Sequence, residues 1–330
     1  MRKFVVALGL LLGVVFLITR FAEVQAIGET LKRGDWRFLI LALGVQFLWL
    51  FIVAISYRTI FALLGIQEKI PKLILTAAAS NFVNVVAPTA GVGGVSVFVS
   101  EARRNGYSSA RATVAGVVYV LFDYAAFLCV LLIGLVVLFK RNNLNTAELV
   151  ASGAFLALLF FLSMLIVLGL RSGEALGGTL AWLARQINRF LQPLLHREYL
   201  SESRAHSFAR DASEGLAQLS SNPGNLLLPF ALALCGKALL IGILFLMCLA
   251  FNVPLSGAAL IACFAIGYLF FIVSPTPSGI GFVEGALTLV LGSMYVPLGA
   301  AAVVSLAYRG ITFWVPFAIG GLALRLLHQT

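Results

Sequence analysis

Apolar residues run through this chain in blocks too long for the one-sided faces of a soluble domain. Apolar stretches with at most one charge each occupy residues 4–19, 38–57, 112–139, 149–170, 226–251 and 298–324. At 1.5 Å of rise per residue, each spans or nearly spans a hydrocarbon slab ~30 Å thick. No series of alternating strands of about ten residues, as a membrane barrel needs, is visible. The pattern predicts an all-α polytopic membrane protein with about six spanning helices. The first stretch follows Arg2 and Lys3 and resembles a signal peptide, with Val24-Gln25-Ala26 as a tolerable cleavage site. Its uncharged run is long for a signal-peptide core, so an uncleaved anchor helix is expected.

Two further apolar segments are interrupted near their middles. Residues 72–100 contain Asn84, Pro88, Gly91, Gly93 and Gly94; residues 257–296 contain Pro275, Pro277, Gly279 and Gly281. Each is long for one crossing and short for two. A proline–glycine break frees backbone groups that lipid cannot satisfy, so it survives only packed in protein or lining a wet cavity. Both segments are therefore expected to be re-entrant helical hairpins. Each precedes a long apolar helix, at 110–139 and 298–327, which suggests an inverted repeat. Pro88-Thr89 corresponds to Pro275-Thr276, each followed by closely spaced glycines. Interrupted segments at corresponding places in two halves point to a transporter's binding site; chance likeness between two turns is the plain alternative.

A polar stretch, 171–225, divides a first membrane half (1–170) from a second (226–330). Within it Leu176, Leu180, Leu183, Ile187, Phe190 and Leu194 recur at helical spacing, and Ala205, Phe208, Ala212, Leu216 and Leu219 repeat the pattern beyond Pro193. These predict two amphipathic linker helices on the cytoplasmic face.

Composition agrees with a lipid solvent. The chain is 61% hydrophobic and 11% charged, with mean hydropathy +1.03, where soluble domains carry about 25% charged residues. The net charge of +10 sits in short loops beside apolar runs, which the positive-inside rule and anionic lipid explain without nucleic acid. With re-entrant hairpins, Arg58, Lys69, Lys72, Arg103, Arg104, Arg111, the 171–225 stretch and Arg325 share one side with Arg2 and Lys3. That places both termini in the cytoplasm of a cell (plasma or inner) membrane protein; Lys32 and Arg33 are the exceptions. Cys129, Cys235, Cys248 and Cys263 lie in apolar stretches without metal-ligand spacing, and His196, His206 and His328 are scattered. No metal site or cofactor is expected.

Four charges fall inside the apolar segments: Asp123, Lys237, Glu284 and Arg309. Such charges do not face lipid. Mutual neutralisation is one reading. The other is a lipid-binding site, with Lys237 and Arg309 beside broken helix ends that favour a phosphate, and Asp123 and Glu284 holding the cations or meeting an amine.

The run Pro275-Thr-Pro-Ser-Gly-Ile-Gly-Phe-Val-Glu284, followed by Arg309, resembles the C-terminal signature of the lysylphosphatidylglycerol synthase transmembrane, flippase-like family. The stretch from Asn84 through Pro88-Thr-Ala-Gly-Val-Gly-Gly94 to Asp123 resembles its first-half motif. The resemblance covers nearly the whole chain. It implies inverted re-entrant hairpins, movement of lipid between leaflets, and Glu284, Arg309 and Asp123 as site residues. Many members carry an acid where this chain has Gly94 and an arginine where it has Val120, so the first half-site is less charged here. An aminoacyl-transferase segment is not found within these 330 residues.

The expectation is an integral membrane transporter moving a phospholipid or other lipid-linked anion through a midplane cavity. The alternative is an accessory protein assisting a separate lipid-modifying enzyme or glycosyltransferase. Its partners would be anionic membrane lipids, with a partner enzyme or a second copy as further candidates. An enzyme is not expected, since no nucleophile–base pair or metal ligand set is visible. Without a nucleotide-binding motif, movement is passive or coupled to an ion or a potential.

Overall fold

The computed structural model describes residues 29–86, 93–195, 202–220 and 223–329. The stretch 4–19 and the turn residues Pro88 and Gly91 lie outside the described residues. Among the described residues every regular element is a helix.

Helix α1 (Trp36–Leu63) leads to a hairpin of α2 (Ile70–Val86) and α3 (Val95–Arg104). Then come α4 (Ser109–Lys140), α5 (Thr146–Arg171) and the two amphipathic helices α6 (Gly173–Leu195) and α7 (Glu202–Ser220). Helix α6 runs through Pro193 rather than ending at it. Helix α8 (Leu227–Ala250) precedes a second hairpin, α9 (Gly257–Val273) and α10 (Phe282–Ser293). The chain closes with α11 (Leu298–Arg309), a π turn (Gly310–Trp314) and α12 (Val315–Gln329). Among the described residues five segments are long and apolar enough to cross a bilayer: Trp36–Leu63, Ser109–Lys140, Thr146–Arg171, Gly224–Ala250 and Leu298–Leu327. Their outward faces are apolar, with Phe139 and Phe160 each 72% exposed. Only lipid tolerates such a surface.

Local chemistry sets the helix ends. Asn145 and Glu148 form a reciprocal capping box at the start of α5, both bonds 3.1 Å. Ser256 caps α9 through the Ala259 N–H. Pro316 has no N–H and its ring crowds the Thr312 carbonyl, and the π turn immediately before it absorbs that misfit.

The two halves follow one helix order and run in opposite directions. Helices α1 and α8 pair antiparallel, the Asp35 N–H donating to the Ala250 carbonyl at 3.0 Å, while Trp49 lies beside Gly236. Each hairpin then packs against the long helix of the other half. Gly320 of α12 meets α2 so closely that a Cβ would lie 2.4 Å from the Ala78 carbonyl oxygen. Its counterpart, Gly134 of α4, meets α9, where a Cβ would lie 2.6 Å from that of Ala265. One apolar core surrounds each hairpin.

The hairpins open at opposite ends of the molecule. The base of the first is tied by Lys72–Glu101 (3.4 Å) and by Arg104, which donates to the Leu327 carbonyl at 2.7 Å. Helix α7 lies at that end too, Gly215 resting against Leu64 and Arg111, and Ser213 Oγ donating to the Gly169 carbonyl at 2.6 Å. The base of the second hairpin is at the far end, where Asn143 donates to the Ser293 carbonyl at 2.9 Å.

Candidate functional site

The closed ends of the two hairpins meet inside the molecule. Ser278, in the second break, has φ 51°, a left-handed conformation that costs a non-glycine residue ~1–2 kcal/mol. Its polar groups explain why it is held there. The hydroxyl donates to the Asn84 carbonyl (3.0 Å), one of the orphan acceptors at the end of α2, and its own carbonyl accepts from Arg309 Nη2 (3.0 Å). Asn84 in turn closes the first break, its Oδ1 accepting from the Gly94 N–H at 2.5 Å.

Gly94 is where the first break is tightest. A Cβ there would lie 2.1 Å from Ser80 Oγ and 2.8 Å from the Ser80 carbonyl oxygen. Because one obstacle is backbone, rotamer changes cannot clear it. Gly94→Ala is expected to cost about 1–3 kcal/mol, read as a lower unfolding temperature in detergent, and an unchanged temperature would show that the break has room to spare.

Arg309, 4% exposed, ends α11. Its Nε donates to Glu284 Oε1 at 2.6 Å, and its guanidinium lies 4.4 Å from the centroid of the Phe313 ring. Glu284 stands in the first turn of α10 and its Oε2 accepts from the Gly281 N–H at 2.7 Å. A carboxylate at a helix N-terminus is favoured by the dipole and by the unpaired amide it satisfies. No hydrogen bond links Arg309 Nη1 to any of the described residues.

Asp123 and Lys237 form a second pair. Lys237 Nζ, on a side chain 2% exposed, lies 2.7 Å from both carboxylate oxygens of Asp123 and 2.6 Å from the Tyr268 hydroxyl, which donates to Asp123 Oδ2 at 3.0 Å. The ring of Tyr268 also lies 3.9 Å from Nζ. Asp123 stands eleven residues before Gly134, and Arg309 eleven before Gly320, so the two halves place opposite charges at matching positions. The four charges therefore form two separate pairs, Asp123 with Lys237 and Glu284 with Arg309.

Between the pairs lies a cavity of about 120 Å³. Helices α1, α2, α8, α9, α10 and α11 and the π turn wall it. Arg309, Ser278, Asn84 and Tyr268 line it; Asp123, Lys237 and Glu284 do not. Lys237 thus stands behind Tyr268, away from any ligand in the cavity. Pro275 is exposed, and Pro277 and Gly279 belong to the short helical turn Pro277–Gly279. Among the described residues no three His, Cys, Asp or Glu side chains gather as a metal site would require.

The family model described as "Lysylphosphatidylglycerol synthase TM region" matches residues 4–320. The chain belongs to this family. It is also similar to a "UPF0104 membrane protein" of Methanothermobacter thermautotrophicus, 24% identical over 331 residues, covering 96% of this chain and 94% of that protein.

In this member of the lysylphosphatidylglycerol synthase TM region family, the cavity has polar walls that the charges alone do not reveal. Gln46 of α1, 4% exposed, and Asn81 of α2 both line it. Among the described residues Gln46 Oε1 and Asn81 Nδ2 are buried with no hydrogen-bond partner. Leaving one such group unpaired costs ~1–3 kcal/mol. Asn81 lies three residues before Asn84, on the same helix face, and that spacing within an apolar run was the available signal. Gln46 and Tyr268 carried no comparable one.

Proposed function

We propose that this protein moves an anionic lipid between the leaflets of a cell membrane, its phosphate passing the central cavity at Arg309. The observation that carries the reading is Arg309 itself: a buried arginine, with donors to spare, beside a cavity where two broken hairpins meet. Charge-assisted hydrogen bonds from a guanidinium suit a phosphate, and the burial of Arg309 strengthens them.

The hairpins fit re-entrance. Helix α2 has 17 residues and α3 has 10, rising about 25 and 15 Å at 1.5 Å per residue. Neither length allows a hairpin to cross twice a slab ~30 Å thick. The end that holds Lys72, Arg103, Arg104, Arg111 and helix α7 is then the cytoplasmic one by the positive-inside rule. Cysteines introduced at Arg103 and Arg210 should label from the same face of sealed vesicles; labelling from opposite faces would overturn the re-entrant arrangement.

The direct test of function uses the purified protein in vesicles carrying a dye-labelled phosphatidylglycerol. Dye in the inner leaflet should become accessible to an impermeant reductant only when the protein is present. A protein that binds lipid but leaves the inner dye protected would instead serve as an accessory to a separate lipid-modifying enzyme.

A further inference from the structure

The two hairpins present outer faces of different chemistry. Helix α10 of the second exposes Phe282 and Leu289, the latter by 70%, as a helix beside acyl chains does. On α3 of the first, the exposed residues are Ser96, Ser100, Arg103 and Arg104, and each of them is polar. Ser96, Ser100 and Arg103 follow one another at steps of four and three residues, so they form a single stripe along the helix. Val95, Phe98 and Ala102 are buried on its other side.

The stripe has bonding capacity to spare. Ser96 Oγ donates to the Gly93 carbonyl at 2.7 Å and keeps its lone pairs for a donor. Arg104 is committed to Glu101 and the Leu327 carbonyl. Among the described residues neither the Ser100 hydroxyl nor the Arg103 guanidinium has a partner. In the re-entrant arrangement read above, α3 sinks about 10 Å from Arg103 to Ser96, a third of a slab ~30 Å thick. Acyl chains cannot satisfy hydroxyls or a guanidinium along that descent. The stripe ends at the first break, where the Gly94 N–H donates to Asn84, and Asn84 lines the cavity. It thus joins a basic cytoplasmic rim to the cavity wall.

Building on the lipid-transport reading, we propose that the outer face of α3 is a wet groove in the cytoplasmic leaflet, along which phosphate-bearing head groups pass between the membrane surface and the first break. Arg103 draws the anion to the mouth of the groove. The hydroxyls of Ser100 and Ser96, which donate as well as accept, take it inward, while the acyl chains stay in the bilayer. The apolar outer face of α10 gives the other leaflet no such groove.

Two measurements on the full-length protein, in vesicles of phosphatidylcholine and phosphatidylglycerol, test this. The first reads wetness. Spin labels are placed by Ser96→Cys, Ser100→Cys or Leu289→Cys in a chain whose exposed Cys129 and Cys235 are changed to alanine; Cys248 and Cys263 are buried. Labels at the two serine positions should collide more with a water-soluble nickel chelate than with oxygen, and the label at Leu289 the reverse. Serine-position labels that behave like the one at Leu289 overturn the groove. The second reads the route. Ser96→Leu with Ser100→Leu should slow the movement of dye-labelled phosphatidylglycerol about tenfold, the worth of two neutral hydrogen bonds. Its unfolding temperature should stay near the parent's, since neither hydroxyl bonds to another helix. Ser96→Thr with Ser100→Thr keeps the hydroxyls and should keep the rate. Arg103→Gln should slow movement at low salt and lose that effect in ~1 M salt, where the screening length falls to about 3 Å. Excess inorganic phosphate should not slow the lipid; inhibition would make the groove a site for the free anion and overturn the lipid route. A double leucine variant that moves lipid at the parent's rate overturns it as well. A parent protein that moves no lipid ends the transport reading and the route together, and the spin labels still decide whether the face is wet.

Discussion

Asp123→Leu is expected to destabilise the protein by about 3–5 kcal/mol, because it strands the Lys237 ammonium without its counter-charge. Lys237 is 2% exposed, and its remaining hydrogen-bond partner among the described residues is the hydroxyl of Tyr268. Water cannot reach it and lipid cannot solvate it. The double variant Asp123→Leu with Lys237→Met should recover most of that loss, since a packed apolar pair replaces a buried ion pair at little cost. Unfolding temperatures in detergent decide the matter. A single variant as stable as the parent would mean that Lys237 is not committed to this pair. Full lipid movement by the double variant would confine the pair to scaffolding, as its place behind Tyr268 implies.

The second pair should behave in the opposite way. Glu284→Gln combined with Arg309→Met removes both charges beside the cavity while keeping side chains of similar volume. The Gly281 N–H can still donate to the amide oxygen that replaces the carboxylate, so the fold should survive near its parent stability. Lipid movement should fall about tenfold to a hundredfold, the worth of a hydrogen bond to a charged group at ~1.5–3 kcal/mol. Arg309→Met alone should both slow movement and weaken the fold, because it leaves the Glu284 carboxylate without its counter-charge. Vesicle assays on the single and double variants separate the two effects. A stable double variant with full transport would end the role of Arg309 in the site.

What the sequence reveals here depends on how local each feature is. The spanning helices are legible because each needs only its own composition, as at Trp36–Leu63 and Thr146–Arg171. The hairpins are legible because glycine and proline punctuate an apolar run. The pairing of charges is not. Asp123 and Lys237 are 114 residues apart, and four charges allow more than one arrangement until helix packing chooses. The same holds for Gln46, an ordinary amide in an apolar helix whose place beside the cavity only helix packing reveals. Ser278 is a middle case. Its neighbours mark a break, but its role as the joint between the hairpins needs Asn84, 194 residues away.

That joint has an electrical consequence. In a re-entrant arrangement the two hairpins would open toward opposite compartments and touch at Ser278 and Asn84, and water reaching in along each would leave only a thin septum between the solutions. The membrane potential would then fall mainly across that septum. On the proposed function, a head group with one negative charge passing Arg309 would cross most of the field in a single short step. Each 100 mV would bias that step by about 2.3 kcal/mol, a drive that needs no nucleotide.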